Sequence, residues 1–411
     1  MLLYASYLIM KTLPSDFSAS CRRDFIRRLS LGLGAGLLSL PSLADAFVAT
    51  PETEYGLASL AALQSGRKLG VALVGLGGYS SGQLAPALQQ TKLCHLTGIV
   101  TGTPEKAQKW KQQYSIPDKN IYNYQNFDSI KDNPDIDIVY VVLPNALHAE
   151  FVERAARAGK HVICEKPMAT SVEDCRRMIE ACKKAGKKLS IGYRLHFDPY
   201  NLAAMRIGQN QLYGPVKKLT ADNGFTMGNN RPWRIEKKLS GGGPLMDMGI
   251  YCVQGVIYTK GQVPVSVTAK YTQKQRPQQF NEVEEGINWQ FQFADGSVAD
   301  CRTSYVENMG RLRMDAANGW LELQPAFAYN GLQGKTSKGA LPNIPARDVN
   351  QQALQMDDFA DCVLNNKPTR VPGEMGMRDV QLLKAIYQAA DSGQKVSTKD
   401  VVAVLDKVGA R

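Results

Sequence analysis

Several features that mark other classes of protein are scarce or missing in this sequence of 411 residues. It has only four histidines, no CxxC pair, no internal repeat and no low-complexity tract. Seven of its eight cysteines follow residue 46, an odd number, and most of them lie in apolar runs or helical segments. These patterns argue against a zinc site and against a disulfide framework, and they predict buried free thiols instead.

Clustered charge is also missing, although the formal net charge is +11. Short runs such as Lys183-Lys184 and Lys187-Lys188 fall at the ends of predicted helices, and no aromatic residues alternate with them. The pattern predicts a solvated basic surface and no nucleic-acid site. The same charge would attract a phosphorylated cofactor.

No apolar run is long enough to cross a membrane. The run Leu29–Leu40 falls short of the roughly 20 residues that a spanning helix needs. It follows Arg22-Arg23-Asp24-Phe25, which resembles the twin-arginine export motif with Cys21 in the usual Ser or Thr position, and it precedes Ala44-Asp45-Ala46, typical of a cleavage site. We therefore expect residues 1–46 to be a twin-arginine-type signal and the protein to be periplasmic. We also expect no part of the protein to be stably inserted in the membrane.

Strands that alternate with helices begin after residue 68, behind a polar arm over residues 47–68. The length favours two domains. Continuous apolar runs, as parallel sheets require, predict strands at Val71–Val74, Leu96–Val100, Ile136–Leu143, His161–Cys164 and Lys188–Gly192. With helices between them, these strands predict an α/β fold, with a Rossmann domain over residues 69–195.

The pattern changes after about residue 215. Strands are predicted at Val216–Phe225, Val265–Thr272, Ile287–Phe293, Ser297–Tyr305, Arg311–Ala316 and Trp320–Leu323. Asp295-Gly296 is typical of a hairpin turn, and late helices are predicted at Asp357–Leu364 and Met377–Asp391. Residues 196–411 should therefore form an α+β domain with an open, mainly antiparallel sheet. The exposed face of this sheet would need a partner, which predicts a homo-oligomer, a dimer or tetramer.

A glycine-rich turn, Gly75-Leu76-Gly77-Gly78-Tyr79-Ser80, follows the first predicted strand. In dinucleotide-binding folds the first glycine makes the tight turn, and the second lets the pyrophosphate approach the start of the next helix. Ser80 replaces the usual third glycine, and a small residue there still permits close packing of helix on strand. An ordinary strand-to-helix turn is the alternative, but the position at the first βα junction of a series favours dinucleotide binding.

The end of the second predicted strand distinguishes between cofactors. An NAD enzyme usually carries Asp or Glu there, to bind the ribose 2′-hydroxyl. This chain has Thr101-Gly102-Thr103, with Lys106 one turn into the next helix, and two hydroxyls with a cation suit a 2′-phosphate. NADP is therefore the predicted cofactor. A capping role for Thr103 and a surface position for Lys106 remain the alternative.

Two further residues follow the strand that ends at Leu143, at the same predicted sheet edge. Asn145 either caps the next helix or contacts the nicotinamide ribose, or does both. His148, one of the four histidines, is either a helix-start residue or a cofactor contact. Leu143 itself is placed beside the cofactor.

Lys166 follows the next predicted strand, so it lies at the edge where open α/β sheets bind their ligands. Glu165 beside it is predicted to orient its ammonium group. If the chain is helical from Gly243, Asp247 and Tyr251 are four residues apart and share a face. A tyrosine is a poor base because its ordinary pKa is about 10, but a neighbouring cation stabilises the phenolate, and Lys166 is the predicted cation. A solvated lysine and a core tyrosine remain the alternatives.

Four segments resemble the glucose–fructose oxidoreductase branch of the Gfo/Idh/MocA family: EKPMATS (165–171), LPNALHAEF (143–151), GYRLHFDP (192–199) and GGGPLMDMGIY (241–251). The resemblance implies a Rossmann domain followed by an open sheet that mediates oligomerisation. It makes Lys166, Asp247 and Tyr251 the catalytic group. It also implies that the neighbours of cofactor and sugar include Arg194, Trp233, Arg234 and Tyr329.

The same resemblance implies an exported, NADP-dependent sugar oxidoreductase. Such an enzyme oxidises an aldose at C1 to the lactone, and a retained cofactor can pass the hydride to a second sugar. Relatives hold NADP with a longer, proline-rich arm, whereas residues 47–68 contain only Pro51, so permanent retention stays open. Two alternatives also stay open, an NAD-dependent glycosidase of the same fold and a non-catalytic sugar or nucleotide sensor.

Overall fold

The computed structural model describes residues 67–230, 232–341, 344 and 349–407. The predicted export signal and residues 47–66 of the predicted arm lie outside this part of the chain. The last two arm residues lie beside the first sheet: Arg67 pairs with a carboxylate oxygen of Asp137 at 2.6 Å, and the Lys68 ammonium donates to the carbonyl of Thr91 at 3.0 Å.

The first half of the described chain folds around a six-stranded parallel sheet. Its strands are β1 (Leu69–Val74), β2 (Cys94–Val100), β3 (Ile121–Tyr122), β4 (Ile138–Val141), β5 (His161–Cys164) and β6 (Leu189–Ile191). They stand in the order β3-β2-β1-β4-β5-β6, and every neighbouring pair is parallel. This is the strand order of a Rossmann fold, which confirms the predicted fold class. The two-residue strand β3 was not predicted.

Helices cover this sheet and connect its strands. A π-helical turn, Ser80–Leu84, continues as α1 (Ala85–Leu88), and it is followed by α2 (Pro104–Tyr114), α3 (His148–Arg157) and α4 (Val172–Lys184). All residues of β1 and β4 are buried, which explains why their sequences are apolar without alternation. Helix α2 begins at Pro104, a residue suited to the first helical position.

A nine-stranded sheet forms the second half. Its strands are β7 (Val216–Gly224), β8 (Ser266–Tyr271), β9 (Gly286–Gln292), β10 (Val298–Ser304), β11 (Met309–Ala316), β12 (Gly319–Leu323), β13 (Gly334–Thr336), β14 (Gly339–Ala340) and β15 (Val396–Ser397). Their order is β14-β13-β12-β11-β7-β10-β9-β8-β15. The predicted, mainly antiparallel arrangement is confirmed, since every neighbouring pair is antiparallel except β7 with β10, which are parallel.

The second half of the sequence also forms helices, and some of them pack on one face of the second sheet. The helices are α5 (Pro199–Gln209), which was not predicted, a short helix Lys237–Ser240, a π-helical turn Leu245–Gly249 that continues as α6 (Ile250–Lys260), α7 (Gln351–Leu364) and α8 (Gly373–Ser392). Every residue of α6 from Cys252 onward is buried. On the other face the sheet is polar, since the exposed positions of β9 are Asn288, Gln290 and Gln292.

Helix α7 belongs to the second half of the sequence but packs on the first sheet. Its residues Ala353, Met356, Phe359 and Ala360 share one buried core with residues of β1, β4 and α1. The two predicted late helices are longer than expected because α7 and α8 begin at Gln351 and Gly373. The first sheet is therefore covered in part by residues that follow the second sheet.

All seven described cysteines are buried and carry no disulfide, as predicted. Among the described residues, no helix combines the length and the apolar character that crossing a membrane requires. The same residues contain no group of His, Cys, Asp and Glu side chains suited to a metal ion.

Candidate active site

The glycine-rich turn after β1 leaves the space that a dinucleotide needs. Gly75 has a φ of 94°, and a Cβ there would lie 2.4 Å from the carbonyl oxygen of Val142, so the turn requires glycine. A Cβ at Gly77 or Gly78 would meet nothing within 4 Å. A helix starts at this point, and its first N–H groups lack intrahelical acceptors. Open space beside such groups fits a pyrophosphate.

Side chains of the glycine-rich turn, including Ser80, Leu76 and Tyr79, pack against the rest of the protein. The buried Ser80 hydroxyl donates to the carbonyl of Gly75 at 2.6 Å, so serine at this position ties the helix to the end of β1. Leu76 is also buried. The Tyr79 ring packs against the ring of Tyr329, with 5.8 Å between their centroids.

The end of β2 carries hydroxyl groups, a glycine and no carboxylate. Thr101 is buried, and its oxygen accepts the N–H of Thr103 at 3.2 Å, while its own proton has no acceptor among the described residues. A Cβ at Gly102 would lie 3.0 Å from the ring of Tyr124. Thr103 precedes α2 but its side chain makes no capping bond, and Lys106 is exposed one turn later.

Asn145 and His148 connect the loops at this sheet edge. The Asn145 amide donates to the carbonyl of Ser240 at 2.8 Å. His148 is fully buried, with Nε2 2.8 Å from the carbonyl oxygen of Leu143 and Nδ1 3.0 Å from that of Pro167. Burial lowers the pKa of its imidazole. Both ring nitrogens face backbone carbonyls, so the predicted cofactor contact through the His148 ring does not fit this geometry; the residue fastens two loops instead.

Lys166 joins Asp247 and Tyr251 into one cluster. Its Nζ donates to the backbone carbonyl of Asp247 at 2.7 Å and to Oδ1 of the same residue at 3.3 Å. The same Nζ lies 4.7 Å from the centroid of the Tyr251 ring. The chain is helical here as predicted, although Leu245–Gly249 forms a π-helical turn before α6. Asp247 and Tyr251 therefore meet at a shared cation.

The second carboxylate oxygen of Asp247 accepts hydrogen bonds from Nε of Arg234 and from the hydroxyl of Tyr305, both at 3.1 Å. Burial alone would raise the pKa of Asp247, but the two cations and the Tyr305 hydroxyl outweigh it and hold that pKa below its ordinary value. Burial likewise opposes the charge on Lys166, yet Tyr251 and Asp247 raise its pKa above the usual range. At neutral pH the pair is therefore a carboxylate and an ammonium.

Arg194 is a second cation near Tyr251. Its Cζ lies 5.1 Å from the centroid of the Tyr251 ring. Its terminal nitrogens donate to the carbonyls of Phe327 at 2.6 Å and Ala328 at 2.9 Å. Its Nε is buried and has no partner among the described residues.

The two aromatic residues implied by the resemblance both lie against cations of the site. The Arg234 guanidinium is 4.8 Å from the centroid of the Trp233 ring. That of Arg194 is 4.4 Å from the Tyr329 ring, which is 43% exposed. Contacts of this kind hold a guanidinium over an aromatic face.

Glu165 lies beneath the cluster and does not orient the lysine as predicted. One of its carboxylate oxygens accepts the Tyr140 hydroxyl at 2.6 Å, and the other accepts the backbone N–H of Lys166 at 3.3 Å. Burial raises the pKa of this carboxyl group. The ammonium of Lys166 bonds to Asp247 instead, so Asp247 is the residue that orients it.

The sequence analysis did not predict that three buried glutamines at the start of α7 contact residues of the candidate site. Gln351, Gln352 and Gln355 are each at most 3% exposed. Their hydrogen-bond partners are, in that order, Arg194, Tyr79 at 3.5 Å and Tyr140 at 3.0 Å. The signal that could have revealed them is the run QQALQ, which repeats glutamine on one helical face.

Glu284 and Tyr305 were missed as well, and no local pattern marks them. Glu284 accepts the N–H groups of Gly243 at 2.9 Å and Leu245 at 3.0 Å, so it caps the helical segment that carries Asp247. Tyr305 lies just after β10 and reaches Asp247 only because the second sheet packs beside that segment.

A Rossmann sheet with an open glycine turn, next to a lysine, a carboxylate and a tyrosine at its carboxyl edge, defines a dinucleotide-dependent oxidoreductase. Residues 69–193 match the model described as oxidoreductase family, NAD-binding Rossmann fold. Residues 202–322 and 318–398 match two C-terminal domain models of the same family. The chain belongs to the GFO/IDH/MocA family of oxidoreductases.

Three relatives with sugar-related names match most of this chain. The crystal structure of an aldose-aldose oxidoreductase from Caulobacter crescentus is 43% identical with a TM-score of 0.78, and the match covers 80% of this chain and 100% of that one. A D-xylose 1-dehydrogenase [NADP(+)] from Haloarcula marismortui is 28% identical over 341 residues, 79% of this chain and 92% of the relative. A D-glucoside 3-dehydrogenase from Escherichia coli is 29% identical over 281 residues, 63% and 79% of the two chains.

Proposed function

We propose that this protein is an NADP-dependent sugar oxidoreductase that oxidises an aldose at C1 to the lactone. The observation that carries the proposal is the cluster of Lys166, Asp247 and Tyr251 at the sheet edge that also holds the open glycine turn. The names of the Caulobacter and Haloarcula relatives support a sugar as the substrate class.

Oxidation at C1 removes a hydride from carbon and a proton from the anomeric hydroxyl. When bound, an oxidised nicotinamide supplies the hydride acceptor. Tyr251 takes the proton at its phenolic oxygen, and the cations Lys166 and Arg194 lie 4.7 Å and 5.1 Å from the centroid of its ring. Asp247 stays ionised and holds the Lys166 ammonium in place.

The proposal extends to the reduction of a second sugar at the same site. Tyr251 then returns its proton to the carbonyl oxygen of an acceptor such as fructose, so the residue acts as base in one half of the cycle and as acid in the other. The name of the Caulobacter relative supports this coupling. A cofactor that remains bound between the two halves is part of the proposal.

NADP is proposed over NAD because the end of β2 offers hydroxyls and a cation. Thr101 has an uncommitted hydroxyl proton, Lys106 is exposed one turn into α2, and no carboxylate stands at the strand end to repel a 2′-phosphate. The Haloarcula relative, named as an NADP(+) enzyme, supports the same choice.

Export and assembly complete the proposal. The twin arginines Arg22-Arg23, the apolar run and the Ala44-Asp45-Ala46 site support a periplasmic location reached by twin-arginine export. A homo-oligomer, which the family resemblance implies, is also part of the proposal.

The first test follows the absorbance of reduced nicotinamide in the purified protein, without added cofactor. Glucose should raise the absorbance and fructose should then lower it. A change that appears only after NADP is added would keep the dehydrogenase but refute the retained cofactor. No change with any aldose, even with NADP present, would refute the proposed reaction.

The second test replaces the proposed base. Tyr251→Phe should lower kcat by roughly 100-fold or more, the usual contribution of a general base, with NADP affinity retained. Tyr258→Phe is the matched control, because Tyr258 lies on the same helix and donates its hydroxyl to Asn201 away from the cluster. Full turnover by Tyr251→Phe would remove this residue from the mechanism.

A further inference from the structure

A cavity separate from the candidate active site lies beside the loop that leads to the helical segment carrying Asp247. Its volume is about 910 Å³, and it is bordered by the helix Lys237–Ser240, by Gly241 and Gly242, by the chain segments around β8 and before β9, and by α8. Its lining includes no residue of the glycine turn or of the Lys166–Asp247–Tyr251 cluster. We call it the lysine cavity because it is lined by Lys237, Lys274 and Lys384.

Two of these lysines lack a counter-charge. Lys274 donates to the carbonyl of Phe280 at 2.6 Å. Within the part of the chain that the structure describes, the side chains of Lys237 and Lys384 have neither a carboxylate nor a hydrogen-bond acceptor. Lys384 is half-buried, and its burial, followed by repulsion from Lys237, lowers the pKa of its ammonium. Lys237 is exposed, so water solvates its ammonium. The partly desolvated charge of Lys384 is unfavourable unless an anion compensates it.

The carboxylates around the cavity are engaged elsewhere. Glu284 is buried and binds backbone N–H groups at the start of the catalytic helix. Asp391 accepts the hydroxyl of Tyr271 at 2.6 Å. Glu282 is exposed and accepts the backbone N–H of Lys237 at 3.1 Å, not its ammonium. Among the described residues, none of these three carboxylates therefore pairs with the ammonium of Lys237 or Lys384.

The remaining wall carries groups that suit a polyol. Hydroxyl and amide side chains line it, namely those of Tyr271, Thr272, Tyr387, Gln388 and Ser392. We propose that the lysine cavity is a second binding site, which takes a phosphorylated sugar. Lys237 and Lys384 bind the phosphate group, and the hydroxyl-bearing wall binds the sugar.

The cavity shares a wall with the loop that positions the catalytic group. Ser240, directly before Gly241, accepts the Asn145 amide. The Tyr387 hydroxyl donates to Glu284 at 2.8 Å, and Glu284 caps the helical segment that carries Asp247. A ligand in the cavity therefore contacts the groups that hold Asp247, and it changes the rate of sugar oxidation. This effect on rate rests on the proposed function, whereas the binding site does not.

The test is a calorimetric titration of the full-length protein with glucose 6-phosphate, and separately with inorganic phosphate and with glucose. Lys237→Ala should raise the Kd for glucose 6-phosphate by about tenfold or more, the value of one charge-assisted hydrogen bond. Lys384→Met, which keeps the apolar stem, should do the same. Lys238→Ala is the matched control, since Lys238 is exposed, adjacent in sequence and outside the cavity. The Kd of this variant for glucose 6-phosphate should stay near that of the wild type.

The outcomes separate the possible ligands. Tighter binding of glucose 6-phosphate than of phosphate or glucose, with the expected loss in Lys237→Ala, supports the site. Equal affinity for inorganic phosphate would refute the sugar part of the proposal. No saturable heat at millimolar glucose 6-phosphate, or an unchanged Kd in Lys237→Ala, would overturn the site.

Turnover measured on the same samples separates this proposal from the proposed function. A protein that binds glucose 6-phosphate through Lys237 but oxidises no aldose keeps the lysine cavity and loses the sugar oxidoreductase assignment. A protein that oxidises aldoses but shows no lysine-dependent binding keeps the sugar oxidoreductase assignment and loses the lysine cavity. Basal turnover of Lys237→Ala, without glucose 6-phosphate, should match the wild type because Lys237 does not contact the cluster.

Discussion

Replacing Tyr305 by phenylalanine tests how Asp247 is held. Tyr305 is fully buried, and its hydroxyl donates to Oδ2 of Asp247 at 3.1 Å. Phenylalanine keeps the ring contacts with Phe225 and Phe280, whose centroids lie 5.2 Å and 6.0 Å away, so the change removes only the hydroxyl. A hydrogen bond to a charged group contributes about 1.5–3 kcal/mol. Because Lys166 and Arg234 remain on the carboxylate, we expect the lower value, about 1.5 kcal/mol.

That loss should appear in turnover and in its pH dependence. A barrier raised by about 1.4 kcal/mol lowers kcat roughly tenfold, while KM should change little because the lost hydrogen bond is made to Asp247. The Tyr305 hydroxyl is one of the groups that lower the pKa of Asp247, so its removal raises that pKa and moves the acid limb of the kcat profile to higher pH. The folded pKa of Asp247 lies below the unfolded value of about 3.9. Ionised Asp247 therefore contributes its full stabilisation above that pH and loses it as the pH falls through the folded pKa. In Tyr305→Phe this loss should begin at a higher pH.

The control is Tyr258→Phe, which also removes a buried hydroxyl with a side-chain acceptor, Asn201. Steady-state kinetics and urea unfolding over a pH series compare the two variants. Tyr258→Phe should lower stability without moving the acid limb. If Tyr305→Phe keeps both the wild-type kcat and the wild-type acid limb, Tyr305 has no part in positioning Asp247.

Other substitutions test the cofactor site and the acid stability of the fold. Gly77→Ala should fold like the wild type, because its Cβ would meet nothing within 4 Å, but it should lower NADP affinity about tenfold or more by blocking the pyrophosphate. Gly75→Ala should instead lower the Tm, since φ is 94° at this position. Titration calorimetry with NADP measures the first effect, and thermal denaturation measures the second. Thr101→Asp should shift preference from NADP towards NAD, seen as a reversal in the ratio of the two KM values, and an unchanged ratio would contradict the 2′-phosphate site. Burial, followed by nearby lysines, lowers the pKa of His161 to about 4, and its Nδ1 accepts the N–H of Lys188 at 3.1 Å. The unfolded chain therefore binds a proton that the folded chain does not between that pH and about 6.5, so stability should fall on acidification through this range, and His161→Gln should flatten the urea-unfolding profile there.

The parts of the fold that the sequence predicts are those set by local periodicity. Strand β5, His161–Cys164, was predicted to the residue, and the glycine turn was placed correctly at the first βα junction. Strand β3 has only two residues, too few to show a period. The parallel pairing of β7 with β10 depends on a connection between distant strands, which no window of sequence contains.

In the candidate site as well, local sequence patterns predict some residues, whereas long-range packing alone brings others into place. Lys166, Asp247 and Tyr251 were identified because each follows a recognisable strand or helix start. Tyr305 could not be found in this way, since it reaches Asp247 only through the packing of the second sheet. For His148 the sequence left two roles open, and only the positions of the surrounding backbone carbonyls decide between them.

The return of α7 to the first sheet has a consequence for the order of events during synthesis. Met356 and Phe359 fill the core beside β1, and the glutamines of α7 bond to Tyr79, Tyr140 and Arg194. A nascent chain that has emerged only as far as the six parallel strands lacks these groups. The dinucleotide site is therefore complete only once residue 364 has left the ribosome, so cofactor capture is a late step that follows most of translation. Under the proposed twin-arginine export, capture would then take place in the cytoplasm, between the release of α7 and the passage of the folded chain across the membrane.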